Sequence, residues 1–228
     1  MSKREYMAQQ SYIDWLKSLG CIAYLPLGSN DFTEYISGNT AYTTGYGTYS
    51  WDSNAGMYLF TSPTIYPNSV LSVNIDYTKT TNKFTIMTKI KAGNKNSAGL
   101  GLFNSNTPLF IGGCDGKGSN NAMTSVQNNW ANKNSSFHHA FVMNYDGNNN
   151  NFAVQDGQQY WTNTYDYINH FHIAIGQNIN KINISQSYSN AQSSAYYNYN
   201  GSTSYYADIL LFDNALELQT IRKIQGYE

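Results

Sequence analysis

Apolar and polar positions alternate along much of this chain, and Asp-Gly and Asn-rich turns interrupt the alternation. The pattern is plainest between residues 137 and 157. Two runs rich in aromatic and β-branched residues flank Asp146-Gly147-Asn148, which accept positive φ at low cost, and a second Asp-Gly at 156–157 reverses the chain again. Strand, turn, strand, turn is a meander. In 84–91, Phe84, Ile86 and Ile90 share one face while Thr85, Lys89 and Lys91 share the other, which predicts a strand with one wet side. Short strands are expected at 57–60 and 70–75. Leu100–Phe103 and Leu109–Ile111 read as a further hairpin before a Gly-rich loop at 112–121, and two more strands are expected within 158–176.

Two stretches depart from this rhythm. Residues 3–19 predict a helix, because Tyr12, Trp15, Leu16 and Leu19 recur at i, i+3, i+4 and i+7 and Gly20 stands where a C-terminal cap belongs. Its apolar stripe either plugs one open end of the β-structure or docks on a partner chain through those four residues. Residues 185–206 are built almost wholly of Ser, Asn, Gln, Ala and Tyr. They read either as a surface insertion whose tyrosines partly pack on a sheet or as a contact surface, since Tyr supplies rigid amphipathic area and Ser and Asn supply adaptable hydrogen bonds.

The meander carries further detail: Phe137-His138-His139 opens the first strand, Tyr145-Asp146-Gly147 closes it, and the next ends in Asp156-Gly157. In this the chain resembles the concanavalin A-like lectin/glucanase superfamily, in particular its laminin G-like domains. Ile22–Leu27 is similar to that family's opening strand, Phe84–Ile90 to its first long central strand, Ile173-Ala174-Ile175-Gly176 to its short strand ending in Ile-Gly, and 208–221 to its closing strand and terminal helical turn. The resemblance spans residues 21–228. It implies an all-β fold, a two-sheet antiparallel jelly-roll sandwich; the short amphipathic helix at 1–20 lies outside the family pattern. Because the first meander strand is one residue longer than the family pattern, a β-bulge or a shifted register is expected within 139–144.

A chain of 228 residues suits one such domain. Only 12% of its residues are charged and the net charge is −1, so nothing suggests a grip on nucleic acid or an anionic membrane. With 21 Tyr and 10 Phe it is too aromatic for disorder. Two cysteines, Cys21 and Cys114, make no disulfide framework and read as buried thiols. No stretch reaches transmembrane length, and residues 1–14 lack the apolar core of a signal peptide.

The residues offer little catalytic chemistry. Glycosidases of this fold family need paired carboxylates on one strand face, and the glutamates, Glu5, Glu34, Glu217 and Glu228, stand alone. The chain is therefore not expected to be an enzyme. Adjacent His138 and His139 point to opposite faces of a strand, and His170 with His172 makes a poor zinc site, so all four read as structural or surface groups. No cofactor is expected. Some laminin G-like domains hold calcium through loop oxygens, and Asp115, Asn120 and Asn121 offer such oxygens, but without the regular acidic spacing of a dedicated calcium loop.

What remains is recognition. A glycan site combines aromatic faces for sugar C–H groups with amide and carboxylate partners for hydroxyls. Tyr196, Tyr197, Asn198, Tyr199 and Asn200 offer that mixture, as do Asp115, Asn120, Asn121 and Trp130 with Trp161 as neighbour. The expected function is a non-catalytic lectin-like module whose ligand is a glycan or a protein. An outward-acting fold without a leader fits a phage structural protein, made in the host cytoplasm and displayed on the virion surface, where its partners include other virion subunits and further copies of itself in a homo-oligomer. A leaderless cellular lectin in the cytoplasm is the alternative, with a glycan-processing enzyme behind it.

Overall fold

The computed structural model describes residues 3–28, 31–61, 69–77, 83–92, 99–101, 110–111, 136–144, 151–163, 180–186 and 203–228. Helix α1 (Lys3–Ser18) leads into β1 (Cys21–Leu25), β2 (Tyr42–Thr43), β3 (Thr48–Asp52), β4 (Met57–Thr61) and β5 (Leu71–Asn74). The long strand β6 (Lys83–Ala92) is followed by β7 (Gly99–Gly101), β8 (Phe110–Ile111), β9 (Phe137–Asn144), β10 (Asn151–Gln155) and β11 (Gln158–Asn163). The chain closes with β12 (Lys181–Gln186), β13 (Thr203–Phe212) and helix α2 (Leu218–Gln225). Among the described residues these strands make two antiparallel sheets, as expected. The larger runs β11-β10-β9-β6-β13-β4-β3, with β1 also on β13, and the smaller runs β2-β5-β12-β7-β8.

The meander is present. Strand β10 pairs with β9 from Phe152↔Val142 to Gln155↔His139, and β11 returns along β10. Asp156 and Gly157 both have positive φ, 48° and 73°, the backbone of a two-residue hairpin turn that follows sheet twist. The bulge expected within 139–144 is absent: β9 stays in register with β6 from Lys83↔Asn144 to Ile90↔Phe137. Strand β9 is paired on both sides, so a bulge there would break two ladders, and unbroken alternation sends Phe137, Phe141 and Met143 inward and Ala140 and Val142 outward.

The irregularity that matters lies on β13. Ala207 opposes Lys89 and Leu210 opposes Met87, so Asp208 and Ile209 together face Thr88. On its other edge β13 pairs with β4 as far as Tyr206↔Tyr58 and with β1 from Ile209↔Leu25. Asp208 sits at this change of partner with φ of 51°.

Apolar residues fill two layers. Between the sheets lie Phe60, Phe84, Ile86, Phe141, Ile182, Tyr206 and Leu211 among others. The outer face of the large sheet carries a second cluster, Met87, Ala140, Val142, Val154, Leu210 and Phe212, covered by Leu16 of α1 and Ile221 of α2. The wet side expected on β6 is therefore dry in its middle: Thr85 and Met87 are buried, while Lys89 and Lys91 are part-exposed. Thr85 Oγ1 donates to Asn214 O at 2.9 Å and accepts from Leu216 N at 2.9 Å, so its polar burial is compensated.

Helix α1 ends as its sequence predicts, with Gly20 at φ +83° and Gly20 N donating to Lys17 O. Its stripe lies on a sheet face rather than at an open end. Of the four residues expected to dock on a partner, Leu16 is completely buried against the chain's own large sheet, and Tyr12, Trp15 and Leu19 are partly buried beside it. The rings of Tyr12 and Tyr24 meet edge to face at 5.9 Å, and Lys223 Nζ of α2 lies 5.7 Å from the Trp15 ring centre. Burying Leu16 alone contributes roughly 1.5–3 kcal/mol, so the helix is a third layer of the domain.

The stretch 185–206 is strand at both ends. Ser185 and Gln186 close β12, and Thr203–Tyr206 open β13, where Tyr206 is wholly buried. No described helix is long and apolar enough to cross a membrane.

Candidate functional site

The sequence-predicted site residues fall mostly outside the described part of the chain: Tyr196, Tyr197, Asn198, Tyr199 and Asn200 do, and so do Asp115, Asn120, Asn121 and Trp130. Cys114, His170, His172 and the Asp146-Gly147-Asn148 turn share that position. Trp161 lies in β11, where its backbone pairs with Ala153. Strand β11 ends the large sheet on the side opposite β3.

At the β3 side the structure presents an aromatic ledge that sequence reasoning missed. Here the chain crosses from the small sheet, where β2 pairs with β5, to the large sheet, where β3 pairs with β4. Gly45 and Gly47 take φ of 80° and 67° in the crossing, a backbone that side chains other than glycine rarely adopt. Thr44 pins it, with its N–H donating to Val70 O at 3.2 Å and its hydroxyl to Ser69 O. Along this edge Tyr42, Tyr46, Tyr49 and Trp51 are exposed by 43%, 44%, 39% and 37%, unusual for rings of that size. A cavity of about 290 Å³ runs between Thr43, Tyr46, Thr48, Tyr49 and Val70.

The ledge is held from behind. In Thr48-Tyr49-Ser50-Trp51-Asp52, strand alternation puts Tyr49 and Trp51 on the face they share with their cross-strand partners Phe60 and Tyr58. Trp51 packs on Tyr58 at 5.1 Å, Tyr49 meets Phe32 edge to face at 5.4 Å, and Phe60 meets the buried Tyr206 at 5.8 Å. The rings thus form a continuous stack from core to surface, which restricts the exposed ones to few rotamers before any ligand arrives. The opposite face of β3 carries Asp52, whose Oδ1 accepts from Asn54 N at 2.9 Å and Ala55 N at 3.1 Å. The bond from Ala55, with help from Tyr205 and Lys91, holds its carboxyl below the usual range.

Acid–base chemistry is poorly provided for. Glu34 is fully buried and already taken: Oε1 accepts from Tyr24 N at 2.7 Å and Ile36 N at 2.6 Å, and Oε2 from Ser37 N at 2.7 Å. His138 and His139 face opposite sides of β9. Burial lowers His138, with Lys89 adding to the effect, and pushes the inward-facing His139 down to about 3. Cys21 is a buried free thiol whose pKa burial raises to about 12. Among the described residues no three His, Cys, Asp or Glu side chains gather to hold a metal ion.

No protein-family model matches this sequence, and no curated protein resembles it in sequence. Its architecture has solved counterparts. The binding domain of botulinum neurotoxin serotype G aligns with TM-score 0.56 and 10% identity over 90% of this chain and 50% of its own. A structure of botulinum neurotoxin type C, concerned with cell entry that depends on two ganglioside molecules, aligns with TM-score 0.59 and 14% identity over 92% and 52%. The binding domain of Paraclostridial Mosquitocidal Protein 1 aligns with TM-score 0.57 and 12% identity over 90% and 51%. What they share with this chain is the fold. The chain spans about half the length of each, so their ligands belong to larger proteins.

Proposed function

We propose that this chain is a non-catalytic recognition module that binds glycan through the ledge of Tyr42, Tyr46, Tyr49 and Trp51. The observation that carries this reading is four exposed rings, of which Tyr49 and Trp51 are anchored by a buried aromatic stack, beside a hydroxyl-lined cavity. Sugar C–H faces stack on such rings, and the Thr43 and Thr48 hydroxyls stand ready for sugar hydroxyls. The fold shared with toxin binding domains supports recognition rather than catalysis, and so does the lack of paired carboxylates among the described residues. Tyr196, Tyr197, Asn198, Tyr199 and Asn200, and Asp115, Asn120, Asn121 and Trp130, belong to the same proposal as further contact residues. So does display on a phage virion surface.

A glycan array of host-surface oligosaccharides tests the reading. Tyr49→Ser and Trp51→Ser should each weaken the bound glycan about tenfold, the loss of one good stacking contact, with the urea midpoint little changed. Equal binding by wild type and both variants would remove the ledge from the account. A second reading rests on β3 being the terminal described strand of its sheet: an extended protein segment would pair with it as an added strand. Competition by free oligosaccharide separates the two.

A further inference from the structure

Beneath α1 lies another cavity of about 290 Å³, on the outer face of the large sheet and away from the ledge. Its apolar wall is Met87, Leu210 and Ile224, and Tyr12 and Tyr24 supply aromatic rings. Five polar residues also line it: Thr88, His138, His139, Asp208 and Gln225.

Two of these are placed in ways that packing alone does not explain. Gln225 is 7% exposed, and its Oε1 accepts from Gly157 N at 3.0 Å, while its Nε2 is buried with no hydrogen-bond partner. A buried amide donor left unbonded is costly, so such a group calls for a reason. Asp208 occupies the left-handed region at φ 51°, on the bulge where β13 changes partner. Bulges redirect side chains, and a non-glycine residue in that region costs on the order of 1 kcal/mol or more. The result is a carboxyl group inside the cavity, close enough that, after burial, its charge also raises the pKa of both Tyr12 and Tyr24.

We propose that this cavity is a second ligand site, one that takes a single uncharged polyhydroxylated ring, either a free monosaccharide or the terminal residue of a glycan. The volume is at the small end for ligand pockets and suits one ring. An unsatisfied amide N–H, a carboxyl and two phenol hydroxyls present donors and acceptors side by side, the pattern that vicinal hydroxyls match. An anion would meet Asp208. The charge of Lys89, which acts on both Asp208 and His138, offsets the pull of the carboxyl group on a cation. The half-buried Tyr12, Tyr24, His138, Asp208 and Ile224 put the cavity in reach of solvent without unfolding.

The test uses the full chain labelled for NMR and the methyl glycosides of glucose, galactose, mannose and N-acetylglucosamine, with glycerol as a control. One glycoside should shift the Gln225 side-chain amide and the Tyr24 ring. Tyr24→Phe keeps the ring and loses the hydroxyl; Gln225→Glu keeps the acceptor for Gly157 and loses the donor. Each should weaken that glycoside about tenfold, the loss of one buried hydrogen bond. A trisaccharide ending in the same ring distinguishes a chain terminus from a free sugar, and binding of either supports the site. The proposal is overturned if no glycoside moves the Gln225 amide, if glycerol moves it equally, or if both variants bind like wild type. The double variant Tyr49→Ser/Trp51→Ser separates this site from the ledge: retained binding supports the cavity, and lost binding places the sugar on the ledge and ends the proposal.

Discussion

Acid should destabilise this domain through His139. The residue is fully buried in the central strand β9, and burial outweighs the opposing charge of Asp156 to push its pKa from 6.5 to about 3. The native state holds it neutral while the unfolded chain protonates it below about pH 6.5, so the unfolded state binds more protons and stability falls as pH falls. Between pH 7 and pH 5 the unfolded state gains about 1.5 pH units of protonation free energy that the native state cannot match, or about 2 kcal/mol. For a chain of this size that is roughly 4–8 °C in melting temperature. His138 adds in the same direction, because its pKa is also lowered, whereas Asp208, raised by burial, binds its proton more readily when folded and opposes the trend. His139→Gln isolates the effect. Urea unfolding of wild type and variant at pH 7 and pH 5 yields a double difference in which the pH-independent cost of the substitution cancels. Wild type should lose about 2 kcal/mol more than the variant over this interval. Equal losses would mean that His139 is hydrated or charged in the folded protein, and the burial argument would be wrong.

Leu16→Ala should cost about 2–5 kcal/mol, as for other fully buried leucines, and removal of residues 1–19 should expose the outer face of the large sheet and cause aggregation; a truncated chain with an unchanged urea midpoint would show that α1 is dispensable to the domain. Thr85→Val should cost about 1–3 kcal/mol, because it strands the buried Leu216 N–H and takes the donor from Asn214 O, and chemical denaturation reads this directly. Gly157→Ala should destabilise by roughly 1 kcal/mol or more, since φ is +73° and a Cβ would lie 2.8 Å from Tyr227 Cβ; an unchanged melting temperature would contradict the tight fit of the C-terminus on this turn. Assays on a panel of host polysaccharides should detect no turnover, and turnover lost on neutralising one Asp or Glu would overturn the non-catalytic reading.

Local chemistry made several elements legible. The Asp156-Gly157 turn follows from two residues that tolerate positive φ, and α1 with its Gly20 cap follows from helical spacing. The order of strands from Cys21 to Phe212 likewise lies close to the alternating runs. The ledge was half legible: alternation in 48–52 pairs Tyr49 with Trp51, but sequence says nothing of whether that face is covered. The Tyr-rich stretch misled at its end, because Tyr206 looks like its neighbours in composition and is a core residue of β13.

Periodicity alone determined which side chains share a face, and the turn residues determined where the chain reverses. What lies against each face was decided only by the tertiary structure, because it depends on strands and helices far apart in sequence. The stripe of Tyr12, Trp15, Leu16 and Leu19 is the same whether it meets a partner or its own sheet; the apolar outer face formed jointly by β6, β9 and β13 decides for the sheet. Thr85 and Lys89 alternate alike along β6, yet Thr85 is dry because the segment before α2 crosses over it. Asp208 is the extreme case. Its residue type suggests a surface loop, and it enters a cavity because β13 exchanges β4 for β1 at that point, a consequence of pairing that no local pattern encodes.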